Sequence, residues 1–185
     1  MNKYGEVLED GSMQFVRMLP GPIERVWDYL TDPEKRAQWL CGGETATQAG
    51  GKIVMAFDNS TLTPHEDDHP PEKYKDAGGP VTFEGKVLGY ERPHLLQFTW
   101  PNADGGEGVV TFRLSEEGEK VRLELTHKGI RRASDFIGAS GGWHVHLDIL
   151  DDKLAGRDPG PFWTAHTAAE NEYEKRFANH LATLT

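Results

Sequence analysis

Cysteine occurs once in 185 residues, at Cys41, so no internal disulfide can form and no thiolate cluster exists to hold zinc or an iron–sulfur centre. Long apolar runs are missing too, and none approaches the ~20 residues needed to cross a bilayer. Positive charge is scarce: 20 Lys and Arg face 30 Asp and Glu, for a net charge of −10. That balance opposes contact with phosphate backbones or anionic lipid, so neither nucleic acid nor a membrane is an expected partner. Residues 1–12 carry neither an apolar signal-peptide core nor a basic amphipathic stretch, and a cytoplasmic location is expected. The Gly-x-Ser-x-Gly spacing at Gly138-Ala139-Ser140-Gly141-Gly142 is read as a close-packing turn at a helix start rather than as a nucleophile elbow, and no motif ties Cys41 to a histidine, so covalent catalysis has no evident nucleophile. No linker-like composition divides the chain, which reads as one domain over residues 1–185.

What is present is organised around residues 141–156. Trp143, Leu147, Leu150 and Leu154 recur at alternating four- and three-residue steps, the spacing of one apolar helical stripe. Ser140 is expected to cap its start and Gly156 to end it in the left-handed conformation. Ahead of it, residues 13–19 read as a first strand. Pro22 and Glu24 open a short helix with Ile23, Val26, Trp27 and Leu30 on its apolar face, and Thr31-Asp32-Pro33-Glu34 opens a second. Period-two alternation then marks strands at 52–58, 81–90, 95–100, and on either side of a turn at Glu116-Glu117-Gly118. Residues 59–80, with Pro64, Pro70, Pro71 and the Gly78-Gly79 pair, read as an exposed, mobile insertion. After Asp158-Pro159-Gly160-Pro161, a final helix is expected over 162–184, with Glu172 placed to pair with Arg176.

This order resembles the SRPBCC or START-like helix-grip superfamily, and within it the domains similar to the activator of Hsp90 ATPase homologue 1 (AHSA1-like). The residues carrying the resemblance are residues 22–27, Thr31-Asp32-Pro33-Glu34 with Trp39, Gly50-Gly51-Lys52, residues 83–87, Pro93-His94-Leu95-Leu96 with Phe98 and Trp100, and Gly142-Trp143 with Leu147, Leu150 and Gly156. The resemblance implies an α+β, Bet v 1-like fold. A curved antiparallel sheet grips a long C-terminal helix, two short helices follow the first strand, and residues 13–156 form the core. It also implies an elongated cavity between sheet and helix for a hydrophobic or amphipathic ligand. The superfamily includes lipid and hormone binders, polyketide cyclases and a co-chaperone, so fold alone does not select among them.

On alternating strand faces and the helix stripe, the expected cavity residues are Phe57, Phe83, Phe98, Trp100, Phe112, Leu125, Trp143, Leu147 and Leu150, with His144 as a polar contact at one end. The bland alternative is that these residues simply fill a core. A void of ~300 Å³ would cost several kcal/mol at about 24 cal/mol per Å³, so a preserved one would argue for use. His144 and His146 point about 200° apart on a helix and cannot easily share a metal, but either could make a polar contact at the cavity end or act as acid or base on a bound substrate, with a satisfied structural histidine as the bland alternative. His65, Glu66, Asp67, Asp68 and His69 fit no metal-ligand template and read as a solvated acidic loop. Residues 138–142 read as a hinge or close-packing turn, with an anion site at the helix start as the alternative. Arg17, Glu84, Arg113, His127 and His144 are the polar groups available to converge on a cavity. The expectation is a ligand-binding protein without catalytic residues, metal or cofactor. A cyclase-, dehydratase- or hydrolase-type cavity enzyme and a chaperone-binding protein are the alternatives, and the terminal helix is a possible homodimer contact.

Overall fold

A computed structural model describes residues 3–75 and 79–184; Gly78 of the Gly78-Gly79 pair lies outside the described residues. The strands β1 (Glu6–Val7), β2 (Met13–Pro20), β3 (Lys52–Phe57), β4 (Val81–Glu91), β5 (Leu95–Pro101), β6 (Glu107–Glu117) and β7 (Lys120–Lys128) form one antiparallel sheet in the order β1-β2-β7-β6-β5-β4-β3. Between β2 and β3 lie α1 (Ile23–Thr31) and α2 (Pro33–Arg36), and after β7 come α3 (Ala133–Ala155), α4 (Phe162–Arg176) and α5 (Ala178–Leu181). This is the α+β helix-grip architecture, a curved sheet closed by the long α3.

Alternation decides which face of each strand meets the helix. On β7, Val121, Leu123, Leu125 and His127 all point inward and are buried, and on β2 so do Met13, Phe15, Arg17 and Leu19. In register, Phe15 opposes Leu125 and Met13 opposes His127. The doublets Phe15-Val16 and Met18-Leu19 leave the facing of β2 ambiguous in the sequence, and Arg17 on the inner face is part of the reason. Gly85 on β4 is required by close approach, since a Cβ there would lie 2.3 Å from the Thr99 carbonyl oxygen.

Short helix α2 is capped by Asp32, which accepts the Lys35 N–H at 2.9 Å, as the Asp-Pro-Glu sequence implies. Its buried Arg36 donates to the carbonyls of Cys41, Gly42, Gly43 and Val54 and to the Thr45 hydroxyl, so a cation 2% exposed anchors this corner with no carboxylate in contact among the described residues.

Three expectations are corrected. Helix α3 begins at Ala133, eight residues before Gly141, and Ser140 is an interior residue whose hydroxyl donates to the Phe136 carbonyl at 2.7 Å. The sequence hides this start because Gly138, Gly141 and Gly142 lower helix propensity. Gly156 does end the helix, with φ +68°. The final helix breaks at Phe177, whose ring turns inward to stack on Tyr173 (centroids 5.0 Å) and meet Phe136 edge-on (5.9 Å). Phe162, His166, Ala169 and Tyr173 are buried against the body, and the Glu172–Arg176 pair forms at 2.7 Å.

The insertion is the third correction only in its anchoring: most of its described residues are exposed, as expected, but it is pinned to the body at several points. It holds two 3₁₀ turns, Asn59–Thr61 and Glu72–Tyr74, and buries Leu62. Asp68 caps α4 by accepting the backbone N–H groups of Trp163 and Thr164 and the Thr164 hydroxyl. His65 Nε2 lies 3.2 Å from the Pro159 carbonyl oxygen. Among the described residues no group of three or more His, Cys, Asp or Glu is placed to hold a metal, and no helix is long and apolar enough to cross a membrane.

Candidate functional site

Four elements meet at one end of α3. Phe57, at the end of β3, sets its ring against Trp100 of β5 at 5.8 Å and 71°, and Trp100 lies 5.4 Å from Trp143 of α3. From the insertion, Tyr74 stacks on Trp163 of α4 at 5.7 Å and 25°. Between these rings lies a partly open pocket of about 200 Å³, completed by Leu40, Asn59, Gly138, Ala139, Gly142, His146, Phe162 and His166. Its surface is mainly aromatic and aliphatic, with polarity confined to a few points.

Those points have defined chemistry. His146 is 6% exposed, and its Nδ1 sits 2.6 Å from the Trp39 carbonyl, an acceptor only, so Nδ1 carries the proton. Its Nε2 therefore offers a lone pair and has no partner among the described residues. Burial pushes this histidine down to about 4, against the opposing pull of the Trp39 carbonyl. The ring is neutral at pH 7. Asn59 leaves its buried Oδ1 without a partner among the described residues.

Behind one wall lies a polar cluster. Glu170, 2% exposed, accepts from the Tyr74 hydroxyl, pairs with Lys73 Nζ at 2.7 Å, and lies 3.7 Å from His166 Nδ1. Burial together with the Glu170 hydrogen bond pushes the Tyr74 phenol up, and burial pushes His166 down despite Glu170. The glycines of α3 make this possible. A Cβ on Gly138 would stand 2.8 Å from the Tyr74 hydroxyl oxygen, and one on Gly141 would stand 2.8 Å from Glu170 Cγ. Gly142 differs: a Cβ there would have His166 Nε2 at 3.9 Å as its nearest contact, so it borders open space.

Of the residues expected around a cavity, Phe57, Trp100 and Trp143 are brought together at this pocket. Phe83 touches Phe57 at 6.0 Å but is 39% exposed, facing a neighbouring recess. Phe98, Phe112, Leu125, Leu147 and Leu150 are buried behind the pocket as packing, with Phe112 edge-on to Trp143 at 5.9 Å. His144 points elsewhere: its Nδ1 is 2.9 Å from the Tyr173 hydroxyl, which accepts the Gly5 N–H, and its Nε2 is 3.5 Å from Asp148. Of the polar groups offered for convergence, Arg17 joins His144 at Asp148, at 3.2 Å. Glu84 pairs with Lys52, Arg113 is exposed, and His127 bonds Trp143. Sequence reasoning missed Asn59, Tyr74, Phe162, Trp163 and His166 as pocket residues, while of the two histidines weighed as a polar contact at the cavity end it is His146, not His144, that lines the pocket. The available signal was spacing, since Ala139, Gly142, Trp143 and His146 recur at steps of three, one and three along one helical edge.

The family model for "Activator of Hsp90 ATPase homolog 1-like protein" matches residues 20–155. The chain belongs to this family. Among solved structures, this AHSA1-like chain is similar to the protein encoded by gene BPP1335 from Bordetella parapertussis, with 41% identity, 95% of this chain and 91% of the other covered, and a TM-score of 0.79. It is also similar to CalU16 from Micromonospora echinospora (22% identity, 96% and 94% covered, TM-score 0.66) and to DynU16, from the dynemicin biosynthetic locus (20% identity, 84% and 51% covered, TM-score 0.63). At such identities the last two speak to fold alone. No curated protein matches. The α4 wall of the pocket, Phe162, Trp163 and His166, lies beyond the segment the AHSA1-like model matches, so this pocket is built partly from what the chain adds to the family core.

Proposed function

We propose that the chain binds a small amphipathic molecule, one aromatic ring or two fused rings in size and bearing a hydroxyl, and does no chemistry on it. The observation carrying this reading is a pocket walled by Phe57, Trp100, Trp143, Phe162 and Trp163 with the unpaired Nε2 lone pair of His146 as its polar point. An apolar cavity of about 150 Å³ already admits benzene, so about 200 Å³ suits a ring with a substituent rather than a long lipid chain. The hydroxyl is argued from charge and tautomer: a neutral Nε2 acceptor asks for a donor.

An enzymatic reading needs a proton-transfer group whose pKa sits near the working pH. His146, held at about 4, accepts hydrogen bonds but is a weak base at pH 7. That difference favours binding over a cyclase- or hydrolase-type activity. Titration with phenol and 2-naphthol, followed by tryptophan fluorescence and thermal unfolding, tests the proposal. Saturable quenching and a rising Tm are expected, because three tryptophans border the pocket and a ligand that binds only the native state stabilises it. Absence of any saturable response at millimolar ligand would overturn it.

A further inference from the structure

We infer that Tyr74 sets the upper size limit of the ligand: its ring is the wall between the pocket and a second, larger recess, and the buried Glu170 carboxylate is the positioning residue that holds it there. This rests on the pocket reading above and extends it from what binds to what is kept out.

Tyr74 borders both spaces, the pocket of about 200 Å³ and a recess of about 430 Å³ reached by Lys73, Ala133, Asp135, Glu174 and Leu181. Among the described residues it is the one that lines both. Consecutive residues of α3 mark the seam, since Gly138 borders the pocket and Ile137 the recess. At that seam the tyrosine reaches the helix: a Cβ on Gly138 would stand 2.8 Å from the Tyr74 hydroxyl oxygen. The ring therefore closes the space between the insertion and α3, and without it the two volumes join.

The ring is fastened on three sides. Its face stacks on Trp163 at 5.7 Å and 25°, and His166 meets it edge-on at 5.1 Å and 83°. Its hydroxyl donates to Glu170, which is 2% exposed and whose other oxygen pairs with Lys73 Nζ at 2.7 Å. Tyr74 itself is only half-buried, so these partners, rather than enclosure, keep it in place. The recess behind it is acidic, with Asp135, Glu170 and Glu174 set against Lys73. Removing the phenol takes from Glu170 the donor on one oxygen. A ligand that reaches into the gap is then favoured if it carries a hydroxyl at that end and disfavoured if it carries a carboxylate.

The probe is 4,4′-methylenediphenol, a phenol bearing the 4-hydroxybenzyl group that is also the side chain of tyrosine. Calorimetric titration of the full chain is expected to show binding of phenol and 2-naphthol and exclusion of this larger molecule. Tyr74→Ala should bind it about tenfold or more tighter than the parent, the worth of one hydroxyl-to-carboxylate bond. Its analogue 4-benzylphenol, which lacks the second hydroxyl, should gain less. Tyr74→Phe keeps the ring without the Glu170 bond and should show an intermediate gain; exclusion as complete as in the parent would overturn the positioning role of Glu170. Tyr74→Val carries the same expectation as Tyr74→Ala should thermal unfolding show that the alanine variant does not fold. If the parent binds phenol but binds 4,4′-methylenediphenol as tightly as the Tyr74 variants do, or if the gain persists when Gly142→Leu is added, Tyr74 is not the size limit and the pocket stands. Failure of the parent to bind either phenol or 2-naphthol removes the pocket reading and this inference with it.

Discussion

The indole N–H of Trp143 donates to Nδ1 of His127 across 3.0 Å, joining α3 to β7 through two residues exposed by 3% and 1%. Both groups are desolvated, so the bond is hard to replace. Trp143→Phe removes the donor, leaves Nδ1 unpaired and shrinks the ring, and the unpaired acceptor alone costs about 1–3 kcal/mol. Urea unfolding should show a fall in midpoint with little change in m. A variant as stable as the parent would mean that the bond is not a constraint of the native core.

Acid should destabilise the protein through histidines held neutral. His127 and His146 have native pKa values of about 3 and about 4, below the ordinary 6.5. Between pH 6.5 and about 5 the unfolded chain takes up a proton at each and the native chain takes up almost none. Stability therefore falls as pH drops, by up to about 1.4 kcal/mol per pH unit for each histidine, and their contribution is level above the unfolded value. Burial pushes His144 and His166 the same way. His146→Asn keeps an N–H for the Trp39 carbonyl and removes the proton uptake. Unfolding measured at pH 7, 6 and 5 should give this variant a shallower loss than the parent by close to one proton.

Most of the sheet was legible in the sequence because half-buried strands alternate. Val121, Leu123 and Leu125 announce the inner face of β7, which the structure extends to His127, and Asp32-Pro33-Glu34 announces α2. Family resemblance supplied the order of closure. What stayed hidden depends on contacts distant in sequence. Three glycines argue against helix at 138–142, yet they are what lets Tyr74, Glu170 and His166 approach α3. The insertion reads as solvated because its anchors are polar, one carboxylate at the start of α4 and one tyrosine stacked on Trp163. The pocket unites residues from 40 to 166, so a local period could reveal only its α3 edge, and the deep stripe Trp143, Leu147, Leu150 drew attention from that neighbouring edge, which holds His146.

Asp68 fastens the insertion to α4 by accepting the Thr164 N–H at 2.9 Å and the Thr164 hydroxyl at 2.7 Å, besides the Trp163 N–H. Loss of a helix N-cap costs about 0.5–2 kcal/mol. Asp68→Ala should lose that much and, in hydrogen exchange, speed the amides of residues 163–165 more than those of β6 and β7. Asp68→Asn, which keeps an acceptor oxygen, should lose less. Uniform protection in Asp68→Ala would show that α4 is held by its apolar face alone.

Gly142 separates stability from binding. In the interior of α3 a glycine costs roughly 0.5–1 kcal/mol relative to alanine, and a Cβ here meets nothing closer than 3.9 Å. Gly142→Ala should therefore raise Tm by about 2–4 °C, the shift expected for ~1 kcal/mol in a chain of this size. The same methyl projects toward a pocket of only about 200 Å³ and takes space from a ligand ring, so phenol and 2-naphthol should bind several-fold more weakly, and Gly142→Leu should abolish binding. A core void of no functional use would behave in the opposite way, filling with gain and no loss. Higher Tm together with undiminished ligand response would place the binding surface elsewhere on the protein, because Gly142 lines the pocket and a methyl there must take up part of its space.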